Sequence, residues 1–247
     1  MNFYSYKESM NIWILQTGEP LHSDGKDLRP MRAINLSNAL ISNAHKVEII
    51  STKFFHQKKI FRNFRRKSSN NENLVESLID SPGYKSNLSF SRIYDHHILF
   101  INLLIHLFKR GDKPDLLFIG YPPIEWAMAA VIFGKLNNIP IVLDVKDLWP
   151  DIFWDKEKIP TLKKFILQFI FMPYRIYASL IATFADYITA PTLSIADYFK
   201  KKYLNSFIKK VFFLKSTKTF PSPIVPPNEN LDILNSYKEK NDPKVCL

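Results

Sequence analysis

A chain of 247 residues with 46% hydrophobic and 14% aromatic residues can bury a full core, which excludes an intrinsically disordered protein. Cys246 is the only cysteine, which excludes an internal disulfide and a cysteine-based metal site and fits a reducing compartment. The formal net charge of +11 suits an anionic partner, such as a membrane surface or a nucleic acid.

Hydrophobic runs and helical spacing alternate along the chain. Strands are expected at 12–16, 47–51, 74–79, 116–119, 141–145, 187–190 and 211–214. Helices are expected at 30–43, 97–108, 124–136 and 194–203. The apolar stretch 162–185 predicts an interfacial or core helix pair rather than a transmembrane segment, because Gln168, Pro173 and Arg175 interrupt it. Strands of this kind, buried on both faces, predict an α/β domain with a parallel sheet.

The chain divides into four segments by composition. Residues 1–11 are expected to be an N-terminal extension, 12–214 one α/β domain, 215–243 a linker, and 244–247 the start of a further domain.

Much of the positive charge lies in a basic–aromatic segment, residues 53–67, which interleaves Lys and Arg with Phe. A second excess of lysine lies between residues 200 and 210. Basic residues mixed with aromatic rings suit an anionic membrane surface or a single-stranded nucleic acid. The plainer alternative is a solvated surface loop.

Two predicted strand ends carry polar residues that suit chemistry, since ligands of open α/β sheets bind outside the carboxyl ends of the strands. Gly18 and Glu19 follow the first strand, where glycine permits close backbone approach to a phosphate or an acceptor. Lys146 and Asp147 follow the strand at 141–145, where a cation could stabilise developing phosphate charge. The alternatives are an ordinary βα turn at the first position, and a salt bridge with a helix cap at the second.

An ordered set of short motifs spans residues 12–214. It comprises Gly18-Glu-Pro-Leu, Arg29 and Arg32, Asn43-Ala-His-Lys-Val, Phe55-His-Gln-Lys-Lys, Ser81-Pro-Gly-Tyr-Lys-Ser-Asn with Arg92 and Asp95-His96, and Asp144-Val-Lys-Asp-Leu-Trp-Pro-Asp. Together these motifs resemble the N-terminal half of bacterial family 4 glycosyltransferases of the GT-B fold. The branch that they resemble makes O-antigen and capsule sugars and includes the N-acetyl-fucosamine transferases.

The resemblance implies a Rossmann-like three-layer α/β domain with a parallel sheet, one half of a GT-B fold. It also implies an acceptor-binding half-enzyme that is inactive alone, because the donor nucleotide-sugar is bound mainly by the second half. The parent reaction would transfer a sugar, with retention of configuration, from a nucleotide-sugar to a lipid-linked or oligosaccharide acceptor in cell-surface polysaccharide biosynthesis.

The resemblance further implies a place and a set of partners. No cofactor is expected, and the location would be the cytoplasmic face of the plasma membrane, with peripheral contact to anionic lipid. Two alternatives stay open: a non-catalytic module that needs a separate donor-binding chain, and a basic protein that binds membranes or nucleic acid. No nucleic-acid reader motif is present in the sequence, so we expect no nucleic-acid partner.

The predicted site residues follow from these motifs. The catalytic candidates are Lys146 and Asp147, and the substrate-binding candidates are Gly18, Glu19, Arg29, Arg32, Tyr84, Arg92, Trp149 and Asp151. We expect no metal at Asp144, Asp147 and Asp151, because GT-B enzymes generally work without one. His96, His97 and His106 are expected to be surface or core residues rather than catalytic ones.

Overall fold

A computed structural model describes residues 9–25, 28–68, 72–86, 89–151 and 160–203, and the backbone of 218–221. The strands are β1 (Asn11–Leu15), β2 (Lys46–Thr52), β3 (Phe54–Phe55), β4 (Ile60–Phe61), β5 (Arg66–Ser68), β6 (Leu74–Ile79), β7 (Leu116–Tyr121), β8 (Ile141–Val145), β9 (Tyr187–Ala190) and β10 (Lys218–Pro221). The helices are α1 (Arg32–Ser42), α2 (Phe90–Lys109), α3 (Ile124–Leu136), α4 (Thr161–Ile170), α5 (Met172–Phe184) and α6 (Leu193–Tyr203), with a short 3₁₀ turn at His22–Asp24.

Eight strands form one sheet in the order β10-β9-β8-β7-β1-β2-β6-β5. All neighbours pair in parallel except β5, which pairs antiparallel with β6 at one edge. The chain builds outward from β1 through β2 to β6, and then returns to the other side of β1 with β7. This reversal between β1 and β7 is a topological switch point, where open α/β sheets bind their ligands.

Alternate residues of the central strands bury opposite faces of the sheet. Trp13 and Leu15 belong to a large core that includes residues of α2, α3, α5 and α6, whereas Ile12 and Ile14 pack with residues of α1. Helix α3 is apolar around most of its circumference, because other helices cover the side that does not touch the sheet. The predicted fold class, a Rossmann-like three-layer α/β domain with a parallel sheet, is confirmed.

Most predicted elements are found within two residues of their expected bounds. Helix α2 begins seven residues before the predicted start at 97, and β10 lies inside the segment 215–243 that was expected to be a linker. The strand predicted at 211–214, residues 1–8 of the extension predicted at 1–11, and the end at 244–247 lie outside the described residues. Strand β10 pairs with β9, so the sheet extends beyond the predicted domain limit at 214.

The basic–aromatic segment is divided between the interior and the surface, because Lys58, Arg65, Arg66 and Lys67 are exposed while other residues of it are buried. The expected contact with a membrane or a nucleic acid stays a prediction. Strands β3 and β4 form a small hairpin, and Phe54 and Phe55 are buried. Arg62 is also buried, against Asp24 and two backbone carbonyls. Ile60 and Phe61 of β4 face solvent, as do Gln57 and Lys58 in the turn of the hairpin.

Within the described residues, no single helix is both long and apolar enough to cross a membrane. Helices α4 and α5 together meet the length and composition needed, but a 62° bend separates them.

Candidate functional site

A cavity of about 200 Å³ opens at the carboxyl ends of the strands beside the switch point. Thr17 and Gly18 follow β1, Thr52 ends β2, and Pro122 and Pro123 follow β7. The first turns of α2 and the start of α3 close its other sides. The sheet topology therefore brings together residues that are more than 130 positions apart in the sequence.

Four predicted substrate-binding residues line this cavity: Gly18, Tyr84, Arg92 and Trp149. Gly18 has a φ of +74°, and a Cβ at this position would meet no atom within 4 Å. The backbone conformation, and not crowding, therefore favours glycine there, and its bare backbone leaves room for a ligand.

Tyr84 lies at the centre of a polar and aromatic cluster. Its hydroxyl is 2.6 Å from Nδ1 of His56, and the Lys59 ammonium lies 4.1 Å from the centre of its ring. The Arg92 guanidinium carbon is 5.6 Å from the same ring. Burial raises the pKa of Tyr84, and burial together with the charge of Lys59 lowers the pKa of His56. At neutral pH the tyrosine is thus protonated and the histidine is neutral.

Trp149 forms one wall of the cavity and packs against two other aromatic rings. Its ring makes edge contacts with Phe171 and Tyr174, at centroid distances of 5.9 and 5.1 Å. The Tyr121 hydroxyl donates to the Trp149 carbonyl at 2.5 Å. A rigid indole wall of this kind suits stacking against an apolar sugar face or an aliphatic chain.

Glu19 and Lys146 form an ion pair beside the cavity, with 2.6 Å between Oε1 and Nζ. Glu19 also accepts hydrogen bonds from the side chain of Gln16 and from the backbone N–H of Ala33 at the start of α1. Burial lowers the pKa of Lys146, an effect that the Glu19 carboxylate opposes. This geometry agrees with the alternative interpretation of Lys146, a salt bridge at the end of the strand. The catalytic role of Lys146 stays a prediction.

Arg32 and Asp144 form a second ion pair across the sheet edge. The hydroxyl of Thr189 donates to the same Asp144 oxygen at 2.9 Å, so the pair links α1 to β8 and β9. Burial raises the pKa of Asp144, while Arg32 opposes that shift. Arg32 therefore lies next to the predicted site but contacts the protein itself.

Three other predicted residues lie outside the cavity lining. Arg29 is exposed before α1, and one Asp147 carboxylate oxygen accepts the backbone N–H of Leu148 at 2.8 Å. Asp151 is fully buried, where its Oδ2 accepts from Tyr198 and pairs with Lys202 at 3.0 Å. Asp151 thus helps to anchor α6. The predicted substrate contacts of Arg29 and Asp151 and the predicted catalytic role of Asp147 stay predictions.

Two residues that we did not expect in the site line the cavity as a pair. Nδ1 of His96, on α2, lies 3.4 Å from Oε2 of Glu125, in the first turn of α3. His96 was expected to be a surface or core residue, and Glu125 was not predicted at all. The available signal was the position of Glu125 two residues after Pro123, close to the carboxyl end of β7.

Across the described ranges, no group of three or more His, Cys, Asp or Glu side chains is arranged to hold a metal ion. The Asp144, Asp147 and Asp151 carboxylates have the separate partners given above.

No family model and no curated protein matches this sequence. Several solved structures are similar in shape. HepE of Anabaena, in complex with UDP-glucose, has a TM-score of 0.43 at 10% identity over 86% of this chain and 44% of its own. UDP-GlcNAc 2-epimerase of Methanocaldococcus jannaschii has a TM-score of 0.40 at 14% identity, over 79% and 43%.

UGT89C1 of Arabidopsis thaliana, complexed with UDP, has a TM-score of 0.47 at 10% identity, over 95% of this chain and 57% of its own. The chain thus spans about half the length of these proteins. Similarities of this size say nothing about activity, substrate or partners.

Proposed function

We propose that this chain is the acceptor-binding half of a GT-B glycosyltransferase that acts in cell-surface polysaccharide biosynthesis. One observation carries the proposal: Gly18, Tyr84, Arg92 and Trp149, taken from three motifs of the family resemblance, line a single cavity at the switch point. The cavity combines an indole wall with hydroxyl, imidazole and guanidinium groups. A hydroxyl-rich acceptor needs this combination of stacking and hydrogen bonding.

The donor is a nucleotide-sugar, bound mainly by a second Rossmann-like domain that faces this cavity. That domain belongs either to the same polypeptide or to a partner chain. The loop at Gly18 contributes backbone close to the donor phosphates, because its glycine leaves open space there. The acceptor is a lipid-linked or oligosaccharide glycan of the O-antigen or capsule type.

The lipid of such an acceptor requires a membrane nearby, and helix α4 supplies a surface that suits one. Leu162, Phe165, Ile166 and Phe169 follow the i, i+3, i+4, i+7 spacing of one helix face, and none of the residues of α4 is buried. Phe165 and Phe169 are each 68% exposed. A soluble surface rarely leaves a contiguous apolar face of this kind uncovered.

Charge favours an anionic bilayer as the partner of this face. Lys163 and Lys164 lie on α4, Arg175 lies on α5, and the whole chain carries a net charge of +11. Each basic residue near an anionic leaflet contributes about 1 kcal/mol to binding. We therefore propose peripheral docking on the inner face of the plasma membrane, with the apolar face of α4 inserted at headgroup depth.

Sugar transfer by the full-length protein tests the proposed function. The assay supplies radiolabelled nucleotide-sugars and prenyl-diphosphate-linked sugar acceptors to the wild type, Trp149→Ala, Arg92→Ala and Arg65→Ala. We expect the first two variants to raise the acceptor KM by about tenfold or more, while the donor KM stays unchanged. Arg65 is the matched control, because its side chain is 80% exposed and lies outside the cavity lining.

Two results would count against this function. Equal acceptor kinetics in all four proteins would show that the cavity does not bind the acceptor. The absence of transfer by the full-length wild type with every donor and acceptor would favour a non-catalytic module.

A further inference from the structure

Glu125 is a buried residue of the cavity wall whose carboxylate receives no hydrogen bond from the described protein. It lies in the first turn of α3, it is 5% exposed, and it lines the cavity. Among the described residues, no group donates a hydrogen bond to either of its carboxylate oxygens. Buried polar groups nearly always have hydrogen-bond partners, so a carboxylate in this state points to a partner from outside the chain.

The neighbouring side chains leave the oxygens of Glu125 available to such a partner. Nδ1 of His96 is 3.4 Å from Oε2, and burial and the charge of Glu125 raise the pKa of Tyr174, on α5. Neither neighbour has the geometry of a hydrogen bond to the carboxylate. Asp95, the other carboxylate of the cavity lining, differs from Glu125, because one of its oxygens accepts the backbone N–H of Gly83 at 2.6 Å.

Glu125 is ionised and its backbone position is fixed. Burial acts to raise the pKa of its carboxyl group, but the neighbouring His96 imidazole lowers that pKa below its ordinary value. The residues on either side of it, Ile124 and Trp126, are fully buried and hold the first turn of α3 in place. An ionised carboxylate only accepts hydrogen bonds, at about four lone-pair sites. The cavity wall thus presents a fixed acceptor to a ligand that carries hydrogen-bond donors.

The charges around the cavity favour neutral donors over cationic ones. The Arg92 guanidinium lines the same cavity, and the Lys59 ammonium lies 4.1 Å from the centre of the Tyr84 ring. These cations would repel a ligand ammonium group, whereas they would not repel a hydroxyl group. Trp149 suits stacking against the apolar face of a sugar ring, and the edge of such a ring carries hydroxyl groups. A sugar ring that stacks on Trp149 and donates to Glu125 therefore fits this cavity.

We propose that Glu125 is a specificity-determining residue of the acceptor site, where its carboxylate accepts hydrogen bonds from hydroxyl groups of the acceptor sugar. The inference rests on the proposed glycosyl transfer and adds the chemical group that is recognised. An acceptor without these hydroxyl groups would leave the carboxylate buried without a donor, so it would bind less well. No bond forms or breaks at Glu125, so this role is compatible with retention of configuration.

Binding of matched acceptors to the full-length protein tests this assignment. The probes are short-chain prenyl-diphosphate-linked hexoses and the monodeoxy analogues of the hexose that binds best. Removal of the recognised hydroxyl should weaken binding to the wild type about 10–100-fold. Glu125→Gln should respond to the same removal by less than about threefold, because the charged acceptor is already lost. Glu72→Gln is the matched control and should respond as the wild type does, because Glu72 is exposed and lies outside the cavity lining.

A measurement on the wild type alone tests the assignment even if Glu125→Gln fails to fold. The side-chain carboxyl carbon of Glu125 is observed by carbon-13 NMR and assigned through its own γ protons. Its resonance should shift when the best hexose acceptor saturates the protein, whereas that of Glu72 should not.

Two results would overturn the role of Glu125 while leaving acceptor binding in place. One is an equal loss of affinity, on removal of each hydroxyl, in the wild type and in Glu125→Gln. The other is a Glu125 carboxyl resonance that does not move at saturating acceptor. A wild-type protein that binds none of the acceptors would contradict the proposed function, and this inference with it.

Discussion

Arg62 is buried, although it lies in the basic–aromatic segment, whose composition suggested an exposed surface. Its guanidinium pairs with Asp24 at 2.6 Å, donates to the carbonyls of Thr52 and Glu19, and lies 4.5 Å from the Phe55 ring centre. Arginine suits such a position because its five donors form a fixed planar fork. These contacts of Arg62 hold the loop after β1 against the end of β2.

Removal of the Arg62 side chain should destabilise the folded protein. Arg62→Ala leaves a buried Asp24 carboxylate without its counter-charge, so we expect a loss of about 3–5 kcal/mol in the free energy of unfolding. Arg65→Ala removes an exposed arginine and should cost less than about 1 kcal/mol. Urea denaturation of both variants checks this, and equal midpoints would contradict the structural role of Arg62.

Gly18 supports a second prediction at this scale. Its φ of +74° lies in the left-handed region, so Gly18→Ala should cost about 1–2 kcal/mol even though space is open around the new methyl group. Gly111→Ala is the control, because Gly111 also has open space but lacks a positive φ. A Gly18→Ala variant as stable as Gly111→Ala in urea would argue against this backbone conformation.

How far the site could be predicted depends on the residue. Gly18, Tyr84, Arg92 and Trp149 were predicted because they follow strand ends or belong to short motifs. The structure places them in the cavity lining, and their binding of a substrate stays a prediction. His96 and Glu125 were missed because their partnership exists only where α2 and α3 meet, and neither has a local pattern that indicates the other.

At the scale of elements, apolar runs were sufficient to predict the strands that are buried on both faces of the sheet. Strands β6, β8 and β9 and helix α3 have the bounds that were predicted. The β3–β4 hairpin was missed because each of its strands has only two residues. Strand β5 was missed because it is short and charged and lies at the edge of the sheet. The start of α2 was missed because its first turn is exposed, although the Ser89 hydroxyl accepts the backbone N–H of Arg92 as an N-cap does.

A pair of titratable side chains joins the 3₁₀ turn after β1 to β6. This pair predicts that the stability of the protein depends on pH. Nδ1 of His22 is 3.3 Å from Glu76. Burial lowers the pKa of His22, but the hydrogen bonds to Glu76 and Asn38 and the charge of Glu76 together outweigh it and raise that pKa. Burial raises the pKa of Glu76, but hydrogen bonds from His22 and Ser23 lower it.

The signs of these shifts define a pH window. Stability from His22 is complete below about pH 6.5 and is lost as pH rises through its folded value. Stability from Glu76 is complete above about pH 4.5 and is lost as pH falls through its folded value. The urea midpoint of the wild type should therefore fall between pH 5.5 and 8 by more than that of Glu76→Gln. An equal fall of the urea midpoint in both proteins would contradict this explanation of the pH dependence.

Helix α4 carries the prediction for membrane docking. Flotation with phosphatidylglycerol vesicles at low salt should bring the wild type to the lipid fraction, and the Phe165→Ser, Phe169→Ser double variant should lose most of that binding. Phe90→Ser is the matched control, because Phe90 is 91% exposed but lies on α2. Wild-type protein that stays in the soluble fraction, or a double variant that floats like the control, would contradict docking through α4.

At the scale of the whole molecule, the strand order decides where chemistry can occur. The reversal between β1 and β7 brings the loop of Gly18 and the end of β7 to one edge of the sheet, and the cavity lies there. A half-enzyme of the GT-B type needs such an edge, because the acceptor must be presented to a donor that is bound opposite. The parallel α/β class could be predicted from the alternation of strands and helices, whereas the strand order and the cavity required their packing.

The most direct measurement is a titration of the 247-residue chain by heteronuclear NMR with two sets of ligands, short-chain prenyl-diphosphate sugars and nucleotide-sugars. An acceptor half should respond to the glycan acceptors, with backbone shifts at Gly18, Tyr84 and Trp149, and respond weakly to nucleotide-sugars. Saturable binding of nucleotide-sugars in this cavity, with no response to any acceptor, would contradict the assignment of this chain as the acceptor side.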